Sequence, residues 1–290
     1  MPGPLWLGVG TTALRARQRR AAPRPPARGV TTAWVTFVAI TLVLSWIAAA
    51  ALGPLDPAKP PSLLDATVRY AIVLGWQPVI GLALISALGD LTPGPRRKVQ
   101  AREVIAALGL VAGCLVAALG VAWLAGERSV DGAWRHDTVA LVAIAAMALV
   151  VVQASLEEYG WRGVALDWAV TAWGPRRGLV VHGAAWGLGY APLAIAAVPH
   201  AASPTAVFAG TVLTAAALGV VLGWTRLRAG NVIPTVVANV CVTVAVGLPL
   251  VLVRGSLGPT DALVRWPGWL VLVPVTAVLL WRVPTPSAAR

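Results

Sequence analysis

Charge is the scarcest property of this chain. Only 12% of its 290 residues are charged, against 58% hydrophobic. A soluble domain of this size carries about 25% charged residues, so the composition excludes an ordinary water-soluble enzyme and indicates a polytopic membrane protein. Cysteine is nearly absent: Cys114 and Cys241 fall far apart in apolar stretches and read as small buried residues, not as a disulfide or metal pair. No His-Glu-x-x-His or Cys-x-x-Cys occurs, so no standard zinc site is expected, and nothing in the pattern calls for a cofactor or a metal. No internal repeat of fixed period is present, which counts against a transporter built from inverted halves.

What is present is a series of apolar runs. About eight can be read near the length that crosses a bilayer, at 32–52, 66–88, 104–125, 138–156, 178–197, 205–223, 232–253 and 266–283. The expected fold is therefore all-α, a polytopic membrane helix bundle of about eight transmembrane helices. The basic residues alternate between the intervening segments. Seventeen fall on the side of the N-terminus and six on the other. The positive-inside rule then places both termini in the cytoplasm. The formal net charge of +12 is accounted for by this alternation, and no nucleic-acid partner is expected. Residues 1–30, rich in Arg, Pro and Ala, read as a disordered basic cytoplasmic arm. Ala48-Ala49-Ala50 offers a weak cleavage-like site, but the apolar run that contains it spans a full membrane, which argues against a signal peptide. Residues 31–285 read as one membrane domain. The first three runs hold almost no polar residues beyond Ser45, Gln77 and Ser86 and read as scaffold.

Polar residues concentrate between Gln153 and Thr243, in three groups. Glu157 and Glu158 close the charge-free run 138–156, with Arg162 one turn later. Carboxylates at a membrane boundary are costly and ordinarily have a partner or a task. On a helix Glu158 and Arg162 are four apart and can pair, while Glu157 points about 100° away. The expectation is a structural ion pair beside a free carboxylate that could serve as a general base. The plainer alternative is a pair of glutamates that cap a span. His182, Trp186 and Tyr190 form the second group, spaced to share one helix face; His182 fits either an inter-helix hydrogen bond or proton transfer. Thr235, Asn239 and Thr243 form the third, as helix–helix contacts or, for Asn239, as a donor to an oxyanion. His136 and His200 are expected on the opposite side of the membrane. Small-residue pairs at Gly183/Gly187 and Gly219/Gly223 predict that the fifth and sixth spans pack closely.

In this order, the three groups resemble the motifs of the CAAX protease and bacteriocin-processing family, which includes the type II CAAX prenyl proteases. Glu157-Glu158-Tyr159-Gly160-Trp161-Arg162 matches the first motif in full. In the second, Trp186 and Pro192 match, but Tyr190 stands where the family has histidine. In the third, Gly230 and Pro234 match, with Asn239 in the histidine position and Thr243 in the asparagine position. The resemblance covers roughly 150–245. It implies an intramembrane endopeptidase surrounded by membrane lipid, acting on a peptide or lipidated protein at the plasma membrane of a bacterium. Glu157 would activate water, Glu158 and Arg162 would support the geometry, and Tyr190, Asn239 and Thr243 would stand in for the missing groups. Tyrosine, with an ordinary pKa near 10, cannot shuttle protons at neutral pH as histidine does. A catalytically silent relative that binds a membrane partner, in immunity or regulation, is the alternative. The chain ends Ser287-Ala288-Ala289-Arg290 and is not itself expected to be prenylated.

Overall fold

The computed structural model describes residues 27–53, 73, 75–88, 98–125, 139–192, 204–252 and 266–283. Most of the N-terminal arm, His136 and His200 lie outside the described residues. Among these residues the secondary structure is helical, with no strand. We number the helices α1 (Ala27–Leu52), α2 (Gln77–Leu88), α3 (Ala101–Leu124), α4 (Val139–Gly160), α5 (Leu166–Gly189), α6 (Pro204–Ala229), α7 (Ile233–Leu252) and α8 (Trp266–Arg282). The first helix begins at Ala27, ahead of the boundary read at residue 31, and Val30 is already buried. Among the described residues, three stretches are long and apolar enough to cross a membrane by length and composition: Gly29–Leu52, Ala101–Leu124 and Phe208–Ala229, with mean hydropathies of 2.3, 2.6 and 1.7.

The segment between α4 and α5, read from the sequence as joining two spans and as helical where Glu158 and Arg162 pair, is continuous helix. The chain stays helical through both glutamates, and Trp161–Ala165 form a π-helical turn that leads directly into α5. Such turns insert extra backbone into a helix and recur at functional sites. The break comes later, at Gly174, whose φ of 77° and ψ of 169° only glycine adopts without strain. Pro175 follows and starts the second half of α5. Beyond the kink, Arg176 donates from Nε to the Val283 carbonyl (2.9 Å) and from Nη2 to that of Trp281 (2.7 Å). The end of α8 is thereby tied to α5.

Helices α5 and α6 form the most extensive pair, and glycine is the reason they can. A Cβ on Gly187 would lie 2.5 Å from the Val212 carbonyl oxygen, and one on Gly183 would lie 2.7 Å from that of Ala216. From the other side, a Cβ on Gly219 would come within 3.0 Å of the Gly183 Cα. The close packing expected of these two helices is observed. Between α6 and α7 the chain turns at Gly230 (φ 66°). The Asn231 side-chain oxygen accepts the Ile233 N–H at 2.9 Å, capping the start of α7. Helix α1 packs on the π turn and the first half of α5 through aromatic rings. Phe37 meets Trp161 edge-on at 5.2 Å and Trp168 at 6.2 Å, and Trp34 meets Trp173 at 4.9 Å. These contacts bring α1 against the region that carries the glutamates.

Candidate functional site

Glu157 sits where four helices meet. It is 1% exposed, and Glu158 and Arg162 are fully buried. The expectation of a free carboxylate at position 157 is corrected: both its oxygens are occupied. Oε1 accepts from the Trp186 indole N–H at 2.7 Å and from the Tyr190 hydroxyl at 3.4 Å. Oε2 accepts from the Gln153 amide at 3.0 Å and from Asn239 Nδ2 at 3.3 Å. The free carboxylate was inferred from the helix bearing Glu157 alone, whereas three of these donors come from α7 and the end of α5. A carboxylate oxygen offers about two acceptor directions; three of the four are taken by N–H donors, and the fourth, on Oε1, is held only by the long Tyr190 contact at 3.4 Å. A carboxylate inside a bundle needs this kind of compensation for lost hydration.

The ion pair expected from the four-residue spacing is present. Arg162 Nη1 donates to Glu158 Oε1 at 2.6 Å. Arg162, counted from the sequence among the basic residues that set topology, is therefore an interior residue. Its guanidinium carbon also lies 4.1 Å from the centre of the Trp186 ring, a cation–π distance. Trp186 thus presents its face to the cation and its N–H edge to Glu157. Asn239 couples the two carboxylates, because Nδ2 also donates to Glu158 Oε1 at 3.1 Å.

The structure brings Glu157, Glu158, Arg162, Tyr190 and Asn239 together as one network. It does not bring in Thr243, whose hydroxyl donates to the Asn239 carbonyl at 2.9 Å within α7. Thr235 donates to the Val232 carbonyl at 2.6 Å and also stands within side-chain hydrogen-bonding reach of Glu158. His182 is fully buried one turn before Trp186 and packs edge-on against Trp161 at 5.5 Å. Neither of its ring nitrogens has a hydrogen-bond partner among the described residues, so the inter-helix bond expected of it is not among their contacts. Asn239 is placed to orient carboxylates more directly than to meet an oxyanion.

Three residues of the site, Gln153, Thr41 and Ser45, were not singled out from the sequence. Gln153 is one helical turn before Glu157, a spacing that could have flagged it. Trp186 was visible as a motif aromatic, but its bond to Glu157 was not. Thr41 and Ser45 of α1 line a small cavity together with Glu157, Trp161, Trp186, Gly189 and Tyr190. The cavity, about 10 Å³, has room for roughly one water molecule. No group of three or more metal-ligating side chains occurs among the described residues.

An all-helical chain with long apolar helices and a buried glutamate held by neighbouring helices defines the class: a helical membrane protein with a polar centre. Comparison with known families gives a match over part of the chain. Residues 139–245 match the model described as Rce1-like, type II CAAX prenyl endopeptidase. The resemblance carried by the three motifs is thus shown over the region that contains them. No curated protein matches the chain.

Proposed function

We propose that the chain is an intramembrane endopeptidase of the type II CAAX prenyl protease kind, with Glu157 as the base that activates water. The observation that carries this reading is the convergence of Trp186, Tyr190, Gln153 and Asn239 on one buried carboxylate beside a cavity of water size. Glu157 takes a proton from water as the oxygen adds to the scissile carbonyl. The tetrahedral intermediate then expels the amine, which receives that proton; one water is consumed, and the acid and amine formed exchange the remaining proton to leave as carboxylate and ammonium. Tyr190 lines the same cavity, and its hydroxyl, only 3.4 Å from Glu157 and thus weakly held, is the group we assign to turn from Glu157 to the substrate carbonyl. Asn239, with the Glu158–Arg162 pair behind it, fixes the orientation of Glu157. Preorganised donors of this kind contribute most where water is excluded.

In this reading residues 31–285 form one membrane domain of eight spans, with both termini cytoplasmic and the site towards the cytoplasmic side. The substrate is a membrane-associated peptide or lipidated protein, at the cell membrane of a bacterium. The test is cleavage of membrane-tethered and lipidated peptides in inverted vesicles, with native protein beside Glu157→Gln. We expect native cleavage and a loss of about 10²–10⁴-fold in the variant. Cleavage that survives Glu157→Gln would overturn the mechanism. A native protein that cuts nothing yet captures a peptide or membrane partner equally in both forms would favour a silent, binding relative.

A further inference from the structure

The region that matches the family begins at residue 139, yet the cavity beside Glu157 is walled in part by α1. Thr41 and Ser45 are each 2% exposed. They stand four residues apart on the face of α1 that continues from Phe37, so they share one side of the helix. Phe37 holds that face against Trp161 and Trp168. Thr41 Oγ1 has no hydrogen-bond partner among the described residues, although a threonine in a helix commonly bonds the carbonyl four residues back. A buried hydroxyl without a partner is costly, and Thr41 lines a space that Glu157, Ser45 and Tyr190 also line. Helix α2 approaches the same hydroxyl closely: a Cβ on Gly81 would lie 3.1 Å from Thr41 Oγ1 and 3.6 Å from the Phe37 carbonyl oxygen. Glycine there leaves the hydroxyl uncrowded.

We propose that α1 completes the site: the hydroxyls of Thr41 and Ser45 hold a single water against Glu157 and position it for attack. A buried water makes about three hydrogen bonds, and two hydroxyls with one carboxylate oxygen supply them. Among the four bonds to Glu157, that of Tyr190 is the longest at 3.4 Å, and its direction on Oε1 is the one the water shares. Thr41 and Ser45 are positioning residues, acting through the water. The inference rests on the assignment of Glu157 as base, but the water site can be tested without turnover.

The infrared difference between native protein and Glu157→Gln isolates the carboxyl band of Glu157. We expect Thr41→Val, which removes the hydroxyl at nearly constant shape, to shift that band. Thr41→Ser restores it, and Ser45→Ala shifts it in the same direction as Thr41→Val. A high-resolution map should place a water between Thr41 Oγ1 and Glu157. With a cleavable peptide, Thr41→Val lowers kcat at least about tenfold with little change in KM, and Thr41→Ser recovers it. A Glu157 band at the native position in Thr41→Val, or a map with the Thr41 hydroxyl bonded to the Phe37 carbonyl and no water on Glu157, overturns the proposal. Failure of the hydrolase reading has a different signature: no native cleavage, or cleavage that survives Glu157→Gln, with the infrared and density results still deciding the water site.

Discussion

Trp186 and Arg162 are the two side chains on which the interior charges depend. Removing Arg162 leaves the Glu158 carboxylate buried without its cation, which costs about 3–5 kcal/mol in comparable pairs. Arg162→Ala should therefore lower the thermal midpoint in detergent sharply, or prevent folding. Trp186→Phe is a finer probe. It keeps a ring over the guanidinium but deletes the N–H that Glu157 Oε1 accepts at 2.7 Å. The expected loss of stability is about 1–3 kcal/mol, read from the unfolding midpoint, together with reduced cleavage. A stability unchanged from native would show that the indole bond is not formed.

At the scale of elements, glycine placement sets how near the site helices come. Gly187→Ala would put a methyl 2.5 Å from the Val212 carbonyl oxygen, and backbone cannot give way as a side chain can. We expect α5 and α6 to separate, with about 1–3 kcal/mol lost and Trp186 displaced from Glu157. Measured unfolding of Gly187→Ala beside Gly109→Ala checks this, because nothing lies within 4 Å of a Cβ at Gly109. These features were unequally legible. The Glu158–Arg162 pair and the α5–α6 contact arise from spacing along one helix, which sequence displays directly. The saturation of Glu157 was not legible, because Trp186 and Asn239 reach it from 29 and 82 residues away. Thr41 and Ser45 were hidden for the same reason. Two hydroxyls in an apolar run look like tolerated scaffold until aromatic packing brings that run against the π turn and α5. The π turn had no visible signal, since its residues read equally well as helix or loop.

For the whole molecule, the one-sided distribution of basic residues fixes an expected orientation even though Arg162 is interior. Arg226 is interior as well and pairs with Asp167 at 3.3 Å. Neither presents its charge at the surface, yet the other basic residues of that side still outnumber those of the opposite one. Reporters fused at either terminus are expected to report cytoplasm. A C-terminal reporter active only outside the cytoplasm, beside an N-terminal one that reports cytoplasm, would require an odd number of spans.

The tie from Arg176 to the carbonyls of Trp281 and Val283 has a consequence for biogenesis, because it reaches across 105 and 107 residues of chain. Translation proceeds from the N-terminus, and at ordinary speeds that distance takes roughly 5 to 20 seconds to synthesise. The helix that carries Trp186 is therefore made well before its anchor exists. In that interval α5, α6 and α7 can form and meet while Arg176, beyond the kink in α5, still has no α8 carbonyl to grip. The tie itself closes only once α8 has been made.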